Sequence, residues 1–160
     1  MQRATRLPMV AMALGMSLAA AFGAMAQQQA PSPIPDAVVR KMIELGLRNI
    51  DKAVCDGFNA CAAATDAELK DPPISVEQAR AAVLVGGRSA MAKWCGLDAE
   101  RRSVLPLLTQ LRRSKQYNER QLALMAVIHG IQQSIISEQL KAKGECDAAM
   151  RSRLDTQLPR

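Results

Sequence analysis

The stretch from Asn118 to Gly144 constrains the fold most, because it is long and carries signals for both ends of a helix. Asn118 is a favourable N-cap residue, and Gln121 three positions later completes a capping-box pattern. Gly144 can adopt the left-handed conformation that commonly follows a helix. Between these ends, apolar residues recur at helical spacing: Leu124, Ile128, Ile131 and Ile135, widened by Leu122, Met125, Ile136 and Leu140. We expect this helix to be central and covered by others.

Two other long stretches have helical periodicity. Asp36 to about Val54 predicts a first helix, and Gly46 within it indicates a close helix crossing. Residues 75–95 predict a second helix, which a capping-box pattern at Ser75 and Gln78 opens. Its Ala- and Gly-rich side would let a neighbouring backbone approach closely. Thr65 opens a capping-box pattern between them, which predicts a short additional helix.

The third principal helix has two possible beginnings. It runs from Asp98 and kinks at Pro106, or it is capped by Ser103 with Pro106 in its first turn. Asp147 caps a last short helix. The chain contains no strand-like alternation of apolar and polar residues. The predicted fold class is therefore all-α, with four principal helices and a short C-terminal helix in an up-and-down bundle-like arrangement.

The four cysteines predict two disulfides if the chain is exported. Cys55 and Cys61 flank a tight loop and can pair with each other. In an up-and-down order, the second and fourth helices end at the same side of the bundle, where Cys95 and Cys146 would meet. We therefore predict Cys55–Cys61 and Cys95–Cys146, provided that the long connection between the first two helices does not cross the bundle.

The N-terminal residues 1–26 are typical of a secretory signal peptide. Arg3 and Arg6 precede an apolar run, and cleavage is expected after Ala26. The apolar run is shorter than the ~20 residues that a membrane-spanning helix needs. Residues 27–35 predict a flexible Pro- and Gln-rich lead-in, and residues 36–160 a single helical domain. We expect a soluble exported protein, periplasmic or secreted, without a transmembrane segment in the mature chain.

Charge and aromatic content limit the classes of partner. The chain has a formal charge of +6, and loss of Arg3 and Arg6 with the signal peptide leaves +4. This modest excess allows contact with anionic surfaces without requiring it. Beyond the signal peptide the aromatic residues are Phe58, Trp94 and Tyr117. So few aromatic rings argue against extended sugar-binding or single-stranded nucleic-acid surfaces, and export argues against nucleic acid generally.

His129, Gln132 and Gln133 form the most unusual polar group, because His129 and Gln132 fall within the apolar arc of the central helix. They predict either a hydrogen-bonded His–Gln pair in the core or the polar spot of an otherwise apolar ligand cavity. A metal site would need Cys95 and Cys146 to stay reduced beside His129. We therefore predict no metal and no cofactor.

The densest basic cluster comprises Arg112, Arg113, Lys115 and Arg120. These residues either match the negative end of a helix dipole and face solvent, or contact an anionic surface such as lipid head groups. The sequence therefore favours a non-catalytic binding protein of the cell envelope, with an envelope protein or a small apolar ligand as partner. The alternatives are an enzyme that uses His129 as general base and a stress chaperone that exposes its helix faces in acid.

Overall fold

The computed structural model describes residues 34–55, 57 and 59–159, and the described part is helical without a β-strand. The predicted signal peptide and residues 27–33 lie outside it. The described residues form six α-helices in this order: α1 Asp36–Leu47, α2 Asp66–Lys70, α3 Val76–Trp94, α4 Leu105–Ser114, α5 Glu119–Lys141 and α6 Ala148–Gln157. A 3-10 turn, Ile50–Lys52, follows α1, and a π-helical segment, Glu100–Val104, leads into α4. The all-α prediction is confirmed. Among the described helices, none is both long and apolar enough to cross a bilayer.

Capping residues set the beginnings of three helices, as the sequence predicts. Complete capping boxes open α2 at Thr65, α3 at Ser75 and α5 at Asn118. At α5, the Asn118 side chain accepts a hydrogen bond from the Gln121 amide, and the Gln121 side chain accepts one from the Asn118 amide, both at 2.9 Å. Each box satisfies two backbone donors that would otherwise lack an intrahelical partner.

The apolar core surrounds the first half of α5. Leu124, Met125 and Ile128 are fully buried there, together with Leu47 of α1 and Val83 of α3. Glycines let two helices approach α5 closely. A Cβ atom added at Gly46 of α1 would lie 2.7 Å from Ile128 Cγ1, so the close crossing predicted at this glycine is confirmed.

The closest helix pair is α3 and α5, which run side by side in the same direction. Near their first residues, the Gln121 side-chain amide donates to the Pro73 carbonyl; near their last, Trp94 Nε1 donates to the Gly144 carbonyl at 2.8 Å. A Cβ at Gly86 of α3 would lie 2.6 Å from the His129 carbonyl oxygen. That contact is with backbone, so a larger residue at Gly86 would force the helices apart.

The first helix is shorter than predicted, and its extension to Val54 is wrong. It ends at Leu47 and gives way to the 3-10 turn. The Asn49 side-chain amide donates to the Leu45 carbonyl at 2.8 Å, which satisfies an acceptor that the helix would otherwise bond with its own backbone. Beyond the turn, an isolated antiparallel bridge joins Val54 to Ala60.

The helical path toward α4 begins at Asp98, which decides between the two predicted alternatives. Asp98 Oδ1 accepts a hydrogen bond from the Arg101 amide at 2.9 Å. The backbone then widens into the π-helical segment just before Pro106, whose ring lacks the amide hydrogen that an α-helix needs. Ser103 does not cap a helix, because its side chain is buried and bonded to Ser89.

Both disulfides join the predicted cysteines. Cys55 pairs with Cys61 and Cys95 with Cys146, at Cα separations of 4.9 and 5.0 Å. The second bridge connects the residue after α3 to the segment after α5. It therefore fixes the ends of the two helices that pack most closely.

Candidate functional site

His129 lies inside the protein on α5, with 4% of its surface exposed. Its Nε2 atom is 2.9 Å from Ser89 Oγ on α3, and Ser89 Oγ lies 2.8 Å from Ser103 Oγ on the π-helical segment. This buried chain of hydrogen bonds links α5, α3 and the π-helical segment. The predicted His–Gln pairing is not what the structure shows, because the partner of the imidazole is a serine of another helix.

The directions of these buried hydrogen bonds are constrained, because each serine hydroxyl has a single proton to donate. If Ser89 donates its hydrogen bond to Ser103, the Ser89 oxygen must accept a hydrogen bond from a protonated His129 Nε2. Burial lowers the pKa of His129 from its ordinary value because a charged imidazolium would lose its hydration. The ring is therefore neutral near pH 7 and acts as a hydrogen-bonding group of the core.

A serine beside a histidine also suggests nucleophilic catalysis, but burial disfavours it here. Ser89 is fully buried and Ser103 nearly so, which leaves a substrate no path to either hydroxyl in this conformation. A nucleophile must reach the substrate as well as its base. The geometry thus favours a structural role for the chain over general-base catalysis by His129.

The two glutamines beside His129 have different surroundings. Gln132 packs its Cβ against Gly86, since a Cβ added at that glycine would lie 2.9 Å away. Gln133 lies one residue further and lines an open groove between α3 and α5. His129 does not line that groove. The three predicted ligand-binding residues are therefore separated into one core residue, one contact between helices and one groove residue.

The predicted basic cluster is also divided. Arg120 makes a two-pronged ion pair with Glu68 of α2, at 2.6 and 2.8 Å, and donates to the Ala62 carbonyl at 2.8 Å. The Arg120 guanidinium, together with the Thr65 amide, lowers the pKa of Glu68 to about 2. Arg120 therefore fixes the loop before α2 onto α5 and is engaged inside the fold.

Arg112, Arg113 and Lys115 remain exposed at the end of α4. Lys115 adopts a left-handed backbone conformation, with φ of 54°, in the turn that leads to α5. Arg113 also lines a shallow surface groove with Arg101 and Leu105, a leucine that is 49% exposed. The exposed cations of the predicted cluster thus lie in the last turn of α4 and at the residue that follows it.

Two grooves flank the second half of α5. The apolar groove, of about 440 Å³, lies between the end of α1 and α5. Most of its lining is apolar: Leu45, Val127, Gly130, Ile131 and Ile135. Asn49, Lys52 and Ser134 supply the polar part.

The polar groove, of about 450 Å³, lies between α3 and α5. Its functional groups are those of Lys93, Trp94, Gln133, Ser137, Glu138 and Lys141. Ser134 lines both grooves, and the buried Ala90 forms part of the polar one.

No protein-family model, curated protein or solved structure matches this chain. The chemistry of the grooves therefore carries the functional interpretation.

Several residues of these sites were not singled out by the sequence. In the sequence, Ser89 is an ordinary helix residue and Ser103 a possible N-cap. Their proximity to His129 cannot be predicted from the sequence, because it depends on how three helical elements pack. Lys93 and Trp94 lie at the end of a helix, where a cation is common because it interacts favourably with the helix dipole, so they gave no functional signal. Their helical positions relative to Gln133 become meaningful only once α3 and α5 are known to be parallel neighbours.

Proposed function

We propose that this protein is a non-catalytic binding protein of the cell envelope that holds an apolar helix of a partner polypeptide in its apolar groove. One observation carries the proposal: the central helix leaves an apolar strip uncovered in its second half. Ile135 is 39% exposed, and a Cβ added at Gly130 would meet no neighbouring atom within 4 Å. The strip is therefore open over a residue that leaves room for an incoming side chain.

The dimensions of the strip suit a short helical contact. From Val127 to Ile135 it extends about 12 Å along α5, at a rise of 1.5 Å per residue. A partner helix that carries apolar residues at positions i, i+4 and i+7 would cover this length. Among the described residues that line the groove, Lys52 is the charged one. An acidic residue beside the apolar ones of the partner would complement it.

The shape of the groove favours a polypeptide over a small apolar ligand. Small ligands are usually held in cavities that bury most of their surface. This groove borders solvent along one side and is more open than the polar groove. An extended partner that contributes its own covering surface is the better match. Export rests on the predicted signal peptide and agrees with the two disulfides, which persist in oxidising compartments.

The test is a steric block that leaves the fold intact. A photo-crosslinking amino acid at Lys52 of the full chain, in the native envelope, should give an adduct of one defined mass. Gly130→Phe should abolish this adduct by filling the groove. The matched control is Ala81→Phe, which places the same ring on an exposed part of α3 and should leave the adduct unchanged.

Two further measurements make the result interpretable. Far- and near-UV circular dichroism of purified Gly130→Phe should match the parent protein, because the added ring enters open space. A crosslinker at the exposed Arg153 of α6 should not give the same adduct. Persistence of the Lys52 adduct in a correctly folded Gly130→Phe protein would contradict the proposal.

A further inference from the structure

The polar groove has chemistry that the apolar groove lacks. Its described lining contains two ammonium groups, Lys93 from α3 and Lys141 from α5, and one carboxylate, Glu138. Lys141 is paired with Glu138 at 2.6 Å. Among the described residues, Lys93 makes no ion pair and no side-chain hydrogen bond, and it is exposed. The groove therefore has one positive charge in excess and offers an uncompensated ammonium to an anion.

Trp94 gives the groove a flat wall of fixed orientation. Its Nε1 donates to the Gly144 carbonyl at 2.8 Å, so the indole is held at its polar edge. The next residue, Cys95, is bonded to Cys146, which restrains the backbone on both sides of that hydrogen bond. The ring is half-buried, which leaves part of its surface accessible in the groove. A ligand that stacks on it would need little ordering of the protein.

The opposite wall, formed by α5, carries neutral hydrogen-bonding groups beside the paired Glu138 and Lys141. Gln133, Ser134 and Ser137 present one amide and two hydroxyl groups from consecutive turns of α5. Each can both donate and accept. Ala90 keeps the space between the two helices free of a larger side chain. Neutral donors and acceptors along one side are complementary to a ligand rich in hydroxyl groups.

We propose that the polar groove binds a single sugar-acid residue, with its carboxylate on Lys93. The apolar face of the sugar ring would lie against Trp94, and its hydroxyl groups would bond to Gln133, Ser134 and Ser137. The few aromatic residues of the chain exclude an extended stacking surface, but one indole is sufficient for one ring. The groove volume lies within the range of small-molecule sites.

This site does not depend on the partner helix proposed for the apolar groove. The two grooves lie on different sides of α5 and share Ser134 among their lining residues. Gly130→Phe should therefore leave sugar-acid binding unchanged. Failure of either proposal can be recognised without reference to the other.

Trp94 is the single tryptophan of the chain, so its fluorescence reports directly from the groove. The purified chain should be titrated with glucuronate, with glucose and acetate as separate controls for the ring and the charge. We expect a saturable change in emission with glucuronate and a dissociation constant on the order of 1 mM, which suits so small a ligand in an open groove. Glucose and acetate should give no saturable change at the same concentrations.

Matched variants then assign the response to the groove. Lys93→Gln should weaken glucuronate binding about tenfold. Lys143→Gln removes the same charge from an exposed position that does not line the groove, and it should change binding less than twofold. Equal weakening of glucuronate binding by both variants would mean that binding responds to the net charge of the protein and not to a contact with Lys93. This result would overturn the proposed contact. A groove that saturates with benzoate but not with glucuronate would overturn the sugar assignment.

Discussion

The two halves of α5 have the same apolar periodicity and opposite surroundings. In the first half, Leu122, Leu124, Met125 and Ile128 are buried beneath α1 and α3. Between residues 130 and 141, only Leu140 is buried, and Ile135 is 39% exposed. One helix is thus core over its first turns and largely open over its last.

The difference arises from the length of α1, not from α5 itself. Because α1 stops at Leu47, it covers α5 only as far as the crossing at Gly46. The apolar stripe continues beyond that point without a covering helix, and the apolar groove is the result. Periodicity therefore identifies the residues that can be buried, whereas the neighbouring element decides which of them are.

The largest expected effect concerns the bridge that restrains the second half. Replacing both Cys95 and Cys146 with Ala should lower the free energy of unfolding by about 4 kcal/mol, because the bridge closes a long loop. The short Cys55–Cys61 loop should contribute only about 2 kcal/mol. Urea denaturation of the two double variants checks the ranking.

Hydrogen exchange should show faster exchange of the backbone amides in the second half of α5 than in the first. The reverse pattern would contradict the division of α5 into a buried and an open half.

A matched pair of truncations compares the halves directly. Ile128→Ala should destabilise the protein by about 3 kcal/mol, because Ile128 is fully buried and Gly46 packs against it. Ile135→Ala removes the same atoms from a partly exposed site and should cost less than about 1 kcal/mol. Equal losses by chemical denaturation would mean that the second half is covered in solution.

The sequence predicted the parts of this architecture that depend on local chemistry or chain order. The capping boxes at Ser75 and Asn118 follow from short-range hydrogen bonds, and the disulfide pairs follow from the direction of successive helices. The end of α1 was missed because it depends on the Asn49 side chain competing for a backbone carbonyl. That competition is not visible in apolar periodicity, which continues to Ala53.

The candidate sites were less predictable, because they depend on which helices meet. His129 was singled out by its position in the apolar arc, yet its partner Ser89 lies 40 residues earlier on a different helix. Arg120 belongs to a basic cluster in the sequence, while in the structure it forms an ion pair with Glu68, 52 residues earlier. Such pairings require the relative position of helices, which one sequence does not provide.

The Arg120–Glu68 pair anchors the beginning of α5, and its loss should be smaller than that of a core residue. Arg120→Gln should cost about 2 kcal/mol at pH 7, since it removes charge-assisted hydrogen bonds. The folded-state pKa of Glu68 is about 2, below its ordinary value of 4.5, so the carboxylate stabilises the fold above pH 4.5. This contribution declines as the pH falls from 4.5 toward 2. The stability difference between parent and variant should shrink over the same interval.

His129 sits where the two halves meet and should make stability depend on pH. Its pKa is lowered in the folded state, so the unfolded chain binds a proton first on acidification. Stability should therefore fall as the pH drops below about 6.5, by at most about 1.4 kcal/mol per pH unit, and level off below the folded pKa. His129 is the only histidine, so His129→Gln should remove this dependence. The same pH dependence of the free energy of unfolding in both proteins would show that burial does not lower the pKa of the imidazole.

Acid-induced opening of the chain His129–Ser89–Ser103 would also be the physical basis of the chaperone hypothesis. Binding of an apolar dye by the parent protein at pH 5, absent in His129→Gln, would support that hypothesis. A parent protein that keeps its near-UV signal and binds no dye at this pH would count against it.

The smallest effect is expected at Gly130, at the start of the open half. Gly130→Ala should stabilise the protein by up to about 1 kcal/mol, because alanine is the better helix former and its Cβ meets nothing within 4 Å. The same change at Gly86, on α3 beside the closed half, places a Cβ 2.6 Å from the His129 carbonyl and should destabilise the protein instead. Thermal unfolding of both variants gives the two signs. Destabilisation by Gly130→Ala would show that another part of the chain covers the groove, and the division of α5 into a buried and an open half would then be wrong.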